Sequence, residues 1–269
     1  MTEAHARTDD IAAPETVVDV AGYPTVVRRA GEGRPLLFLH GAFFPTRWLS
    51  LHRRLAEDAD VIAPVHPGYA EGGPPDWLRG FDDLVLHYHD LLDVLGVGMV
   101  DVVGYDLGGW LAAQLASFYP ERVRSLTLIA ASGLRLPQAP MLEFLAADPQ
   151  RVVDALFNAD PGQYAAELSD RADIGSFVEA YGENSVTVRL IWERRYDHRL
   201  DRRVARLRIP SLVITPADDR VVPVAHAHRW AELLKGSRLV TLDGVGHAVV
   251  VQAPDALAAE IATFHSEVM

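Results

Sequence analysis

The chain has no cysteine and only one lysine, Lys235, among its 269 residues. The first absence excludes disulfides, thiolate metal sites and a cysteine nucleophile together. The second confines Schiff-base chemistry to one position, in the ordinary helix-end string Leu-Leu-Lys-Gly. Long hydrophobic runs are also missing, since none approaches the roughly 20 apolar residues that span a bilayer. Positive charge is in deficit: 25 Lys and Arg stand against 37 Asp and Glu, a net charge of −12. General attraction to nucleic-acid phosphates or anionic lipid is therefore not expected. Asp9 and Asp10 lie where a secretion signal would need its apolar core, so residues 1–13 read as a disordered leader. A cytoplasmic protein with neither a nucleic-acid nor a membrane partner is the expectation.

What is present has the makeup of a globular domain, 49% hydrophobic and 23% charged. The length suits one large domain or two small ones. Thr16–Val20 and Thr25–Arg29 alternate around Ala-Gly-Tyr-Pro and suggest an opening hairpin. Leu36–Leu39, Val61–Val65, Met99–Val103, Leu126–Ala130, Leu212–Thr215 and Arg238–Leu242 are short apolar runs of the kind found in buried strands. Helical patterns fall between them at Phe81–Leu95, Leu107–Phe118, near Ala225–Leu234 and from Pro254 onward. That alternation predicts an α/β fold, a mostly parallel sheet with helices on both faces, over residues 14–133 and 207–269. Between 134 and 206 the alternation gives way to helical periods broken by Pro149 and Asp160-Pro161-Gly162. A helical insertion there would form a lid over the C-terminal edge of the strands.

One string carries the most chemistry: Val102-Val103-Gly104-Tyr105-Asp106-Leu107-Gly108-Gly109-Trp110. A strand runs into Gly-x-Asp-x-Gly-Gly and straight out into a helix, which is the nucleophile-elbow pattern with aspartate in the place of serine. The helix N-terminus favours an ionised carboxylate at Asp106. His40-Gly41-Ala42-Phe43 follows another strand, Asp218-Asp219 a third and His247 a fourth, the last freed by Gly244 and Gly246. Nucleophile, acid and histidine thus occur in chain order, each just past a strand. The backbone N–H groups of Ala42 and Leu107 are the expected oxyanion donors. His40 itself is expected to be structural. His87 and His89, like His226 and His228, are spaced i, i+2 and point apart on a helix, so no metal is expected. Nor does any dinucleotide or phosphate loop appear, and the chemistry should need no cofactor.

From about Val26 onward the sequence resembles the α/β-hydrolase superfamily. Tyr119-Pro120-Glu121-Arg122-Val123 and Ala63-Pro64-Val65-His66-Pro67-Gly68 look like two further signatures of it. Much of the wording is similar to serine members, including esterases and carbon–carbon bond hydrolases, whereas the elbow resembles the aspartate subset, epoxide hydrolases and haloalkane dehalogenases. That resemblance implies Asp219 as the acid partner of His247, with Asp218 as the alternate.

A carboxylate suits displacement at saturated carbon, giving an alkyl ester that His247 and water then cleave. Epoxide opening also needs a proton, and lid tyrosines Tyr164, Tyr181 and Tyr196 are candidate donors. A halide would need N–H donors beside Asp106 or in the oxyanion loop, and the residues there are Leu107 and Ala42. Epoxide hydrolysis to a diol on a small apolar substrate is therefore the leading expectation, with haloalkane-type dehalogenation as the alternative. A third reading is an esterase-like or C–C hydrolase-like scaffold with an inert Asp106, acting as a ligand-binding protein. Phe43, Trp110 and Trp192 are the expected pocket walls, and the sequence is compatible with a homodimer.

Overall fold

The computed structural model describes residues 13–44, 47–69, 74–143, 146–164, 185–192 and 196–268. All of the expected leader except Ala13 lies outside them. The chain opens with β1 (Glu15–Val20) and β2 (Tyr23–Ala30), paired antiparallel across the turn at Ala21 and Gly22. Then follow β3 (Arg34–Leu39), α1 (Ser50–Leu55), β4 (Ala59–Pro64), α2 (Phe81–Val94), β5 (Val100–Tyr105), α3 (Leu107–Phe118) and β6 (Val123–Ile129). Residues 134–206 contribute α4 (Pro149–Leu156), α5 (Ser185–Trp192) and α6 (Leu200–Val204), with Tyr164 ending a short 3-10 turn. The fold closes with β7 (Ser211–Pro216), α7 (Ala225–Leu233), β8 (Arg238–Leu242), α8 (Val249–Gln252) and α9 (Pro254–Glu267).

The eight strands form one sheet in the order β1-β2-β4-β3-β5-β6-β7-β8. It is parallel from β4 to β8, with β1 and β2 antiparallel at one edge. Every residue of β5 and of β7 is buried, as expected of strands covered on both faces. The strand and helix positions anticipated from periodicity recur within a few residues. The patterns did not reveal α1, which is a single short turn-and-a-half of mixed residues. Among the described residues no helix is long and apolar enough to cross a membrane.

The sheet presents the C-terminal ends of β3, β5, β6, β7 and β8 along one edge, where open α/β sheets form their ligand sites. His40, Asp106, Ser132, Asp219 and His247 all lie just beyond those ends. The excursion after β6 is pinched at its base, where Gly133 and Tyr196 form a parallel bridge and the Asp197 N–H donates to the Gly133 carbonyl at 3.1 Å.

Several buried histidines are built in as neutral groups. His52 accepts the Leu49 N–H at Nδ1 (2.9 Å) and lies between the rings of Trp48 and Phe38. Burial holds its imidazole down to about 3, and burial likewise lowers His40 to about 4 and His87 to about 4. Unfolding returns each to about 6.5, so the unfolded chain binds more protons in acid. Stability is therefore full above pH 6.5 and is lost as the pH falls from there toward 4, at up to about 1.4 kcal/mol per unit for each histidine. Denaturant titrations between pH 7 and 4 should show a decline that is steeper than one proton accounts for, and that loses part of its slope in His52→Phe.

Candidate active site

The backbone bends sharply where β5 passes into α3. Asp106 has φ 51 and ψ −116, a left-handed conformation that costs a non-glycine residue strain. The turn survives because the surroundings fix it: the Asp106 carbonyl accepts from Gly109, Trp110 and Ser132, and its N–H donates to Ile129. Close approach explains two of the glycines. A Cβ on Gly108 would stand 2.0 Å from the Leu39 carbonyl oxygen, and one on Gly41 would stand 2.8 Å from the Cβ of Asp106.

The carboxylate of Asp106 divides its two oxygens. Oδ2 accepts the Ala42 N–H at 3.0 Å, and the Leu107 N–H also donates to the carboxylate. Oδ1 lies 3.9 Å from Nε2 of His247. The other ring nitrogen, Nδ1, reaches Asp219 at 2.9 Å from Oδ2 and 3.1 Å from Oδ1. Asp219 is fixed in turn by the Val221 and Val222 N–H groups, at 2.9 and 2.7 Å. Tyr105 donates its hydroxyl to the His247 carbonyl at 3.0 Å and so ties the histidine loop to β5. The three side chains make a buried row, carboxylate–imidazole–carboxylate. Asp218, the alternate acid, points away into an exposed pair with Arg220 at 2.8 Å.

Electrostatics follow from that row. Burial raises the Asp106 carboxyl above its ordinary value, opposed by His247 and by the N–H groups of Ala42 and Leu107. For His247 burial would lower the imidazole, but the charge and hydrogen bond of Asp219, with the charge of Asp106, outweigh it and raise it. The loop carrying Ala42 is held from behind. His40 stacks on His66 at 3.6 Å, accepts the His66 N–H at Nε2 (2.9 Å) and donates from Nδ1 to the Gly41 carbonyl (2.7 Å). His66 Nε2 donates back to the His40 carbonyl at 2.9 Å. Both rings are thereby engaged in the scaffold.

A cavity of about 280 Å³ opens above Asp106 and Leu107. Leu134, Leu136, Met141, Ile191 and Val221 give it an apolar wall, and Ser132, Tyr196 and His226 are among the polar residues in its lining. Most of that wall comes from residues 134–143 and 191–196. Of the candidate tyrosines only Tyr196 is on it. Tyr164 instead stacks on Phe157 and meets Gln252 at 3.4 Å, and Tyr181 lies outside the described residues. Phe43 is buried edge-on to His247 at 5.8 Å rather than lining the cavity. Trp110 also departs from the expectation. It stacks on Phe81 of α2 at 3.7 Å, against the flank of Gly133, and lines a separate polar cleft. The side chain of Trp192 lies outside the described residues. The sequence patterns did not single out Ser132, which follows a strand end and was findable on that ground, and they brought in His226 only beside His228 as a rejected metal pair. Among the described residues no group of His, Asp and Glu is arranged to hold a metal ion.

The family model described as alpha/beta hydrolase fold matches residues 34–254. The chain is 30% identical over 264 residues to 2-hydroxymuconate semialdehyde hydrolase of Pseudomonas putida, with 92% of each protein covered. Among solved structures it is similar to CarC, a serine hydrolase involved in carbazole degradation, at 26% identity and TM-score 0.75, covering 95% of this chain and 99% of that one. A bacterial membrane phospholipase A superposes with TM-score 0.83 at 24% identity, over 98% of this chain and 90% of that one, a likeness of fold alone.

Asp219 and Asp218 can be told apart by titration. Asp219→Asn removes the main influence that raises His247, so the imidazole signal followed by NMR should titrate at lower pH. Asp218→Asn should leave that titration in place, and a shift of equal size in both variants would contradict the assigned pairing.

Proposed function

The chain belongs to the α/β-hydrolase fold family, and from that premise we propose that it hydrolyses a small apolar substrate through Asp106, which attacks a saturated electrophilic carbon. The observation that carries this reading is the division of labour between the two carboxylate oxygens. Oδ2 already takes the Ala42 N–H, the carboxylate takes that of Leu107 as well, and Oδ1 is left toward His247. A carbonyl substrate of an ordinary serine hydrolase would need those donors for its own oxygen. A substrate displaced at saturated carbon does not.

In the first step the lone pair of Oδ1 forms the new C–O bond as the leaving group departs with its electrons. For an epoxide the departing oxygen stays attached and needs a proton, and Tyr196 is the phenol on the cavity wall that can give it. In the second step His247 Nε2 takes a proton from water, and the hydroxide adds to Cγ of Asp106. Negative charge develops on Oδ2, which the Ala42 N–H already holds, and a donor of that kind contributes roughly 3–4 kcal/mol. Collapse of the adduct restores the Cγ=Oδ2 bond and breaks the Cγ–Oδ1 bond. Oδ1 leaves with the substrate carbon as an alkoxide, which takes the proton from His247, and the water oxygen stays on Asp106. Esterification also cancels the Asp106 charge, one of the influences that raise His247. The imidazole is thereby released to act as a base at the moment one is required.

Hydrolysis of an epoxide is the finer form of this reading. The second reading is carbon–carbon bond hydrolysis, favoured by the likeness to 2-hydroxymuconate semialdehyde hydrolase. There His247-activated water would add to a substrate carbonyl, the C–C bond would break, and the carbanion would be protonated, with Asp106 as a polar wall of the site.

Isotope labelling separates the two. Single turnover of styrene oxide in ¹⁸O-water should place one heavy oxygen on the peptide containing Asp106. Turnover of either substrate class with no label there, even after repeated cycles, rules out the ester route. His247→Ala should accumulate the alkylated enzyme, seen by intact mass, with ester hydrolysis slowed by about 10²-fold or more. The rate of adduct formation in that variant should fall in acid as Asp106 is protonated.

A further inference from the structure

Two buried polar side chains in the cavity wall take no part in either step, Ser132 at 4% exposure and His226 at 1%. His226 is anchored through one nitrogen only. Its Nε2 lies 2.8 Å from the Ala139 carbonyl oxygen. A carbonyl can only accept, so Nε2 carries the proton. Burial, the largest influence on this ring, lowers its basicity. The imidazole is therefore neutral with its tautomer fixed, and Nδ1 presents a lone pair. That Nδ1 has no hydrogen-bond partner, and neither does the Ser132 hydroxyl.

Unpaired buried polar atoms are costly and rare in native proteins. Here two of them belong to one largely apolar cavity, which Arg135, Glu143 and Tyr196 also border, next to the reactive carboxylate. The anchor also comes from the cavity itself, since Ala139 belongs to the 134–143 stretch that supplies most of the apolar wall. A neutral histidine held in this tautomer can accept at Nδ1 and cannot donate there, so it selects for a donor on the ligand. Serine can serve in either role and imposes no such choice.

The geometry points to a donor-recognising subsite, in which His226 Nδ1 accepts a hydrogen bond from a hydroxyl group of the bound molecule and Ser132 Oγ provides a second polar contact. The substrate class is then an apolar, ring-sized body bearing an alcohol or phenol away from the reacting carbon. The inference rests on reading this cavity as the substrate site. It makes no use of the Asp106 chemistry, so binding without turnover tests it separately.

Two unreactive probes of matched shape suffice, 1-naphthol and 1-methoxynaphthalene, with affinities measured by calorimetry on the full chain. The hydroxyl compound should bind about tenfold more tightly, as expected for one good hydrogen bond to a buried acceptor. In His226→Phe the two affinities should converge through loss of the naphthol advantage. A wild-type preference absent, or one that survives in that variant, overturns the inference. Should His226→Phe fail to fold, ¹⁵N NMR of the wild-type histidines decides. One Nε2-protonated ring should show its Nδ1 signal move on adding 1-naphthol and not on adding 1-methoxynaphthalene. No such movement would equally overturn it.

Discussion

Two backbone N–H groups, on Ala42 and Leu107, hold the carboxylate of Asp106, the first of them at Oδ2, and the remaining chemistry is arranged around Oδ1, which lies toward His247. Holding it requires a strained residue at the tip of β5, a glycine at 108 packed on the Leu39 carbonyl, and a loop at Gly41 pressed to the carboxylate. It also requires the paired imidazoles of His40 and His66, whose hydrogen bonds hold the carbonyls on either side of that loop. Apart from Asp106 itself, these parts belong to the scaffold behind the carboxylate. Their shared effect is to fix an oxygen in place before any reaction begins, so that no reorganisation is needed when charge develops on it.

The comparisons separate scaffold from chemistry. Fold, sheet order and chain-wide likeness place the protein among α/β-hydrolases, and its relatives include 2-hydroxymuconate semialdehyde hydrolase and a serine hydrolase involved in carbazole degradation. Those likenesses are spread along the chain, whereas the feature that would change the reaction is one carboxylate at one elbow. Overall similarity therefore weighs little on the choice between an alkyl-ester route and attack on a carbonyl, and the local geometry weighs more. A hydroxyl at position 106 would leave the N–H donors for substrate. The carboxylate occupies them itself.

Legibility in the sequence followed the strength of local constraint. Asp106, Asp219 and His247 could be located because each stands beyond a short apolar strand, with turn residues or glycines that admit few other structures. The hairpin and the parallel strands were readable for the same reason. Helical periods between 134 and 206 foretold helices, and α4, α5 and α6 lie there among the described residues, but side chains could not be aimed, because helical period alone does not say which neighbour a face will meet. Trp110 shows the difficulty: its indole was drawn to Phe81 on the adjacent helix, where stacking and the bare flank of Gly133 accept it. Tyr164 was drawn to Phe157 in the same way. His226 was weighed only as half of a metal pair with His228, and its significance lies in a carbonyl 87 residues away in sequence.

The pinch between Gly133 and Tyr196 gives the molecule a modular architecture. The chain leaves the sheet after β6 and returns beside its point of departure. Further bonds, from the Leu142 N–H to the Val221 carbonyl and from the Ala248 N–H to the Leu156 carbonyl, fasten the described part of the excursion to the core. Closing such a loop costs free energy that grows only with the logarithm of its length. Changes of length between those fastenings can therefore be tolerated while the reactive row on the sheet stays put, which leaves the cavity wall free to be retailored to new molecules.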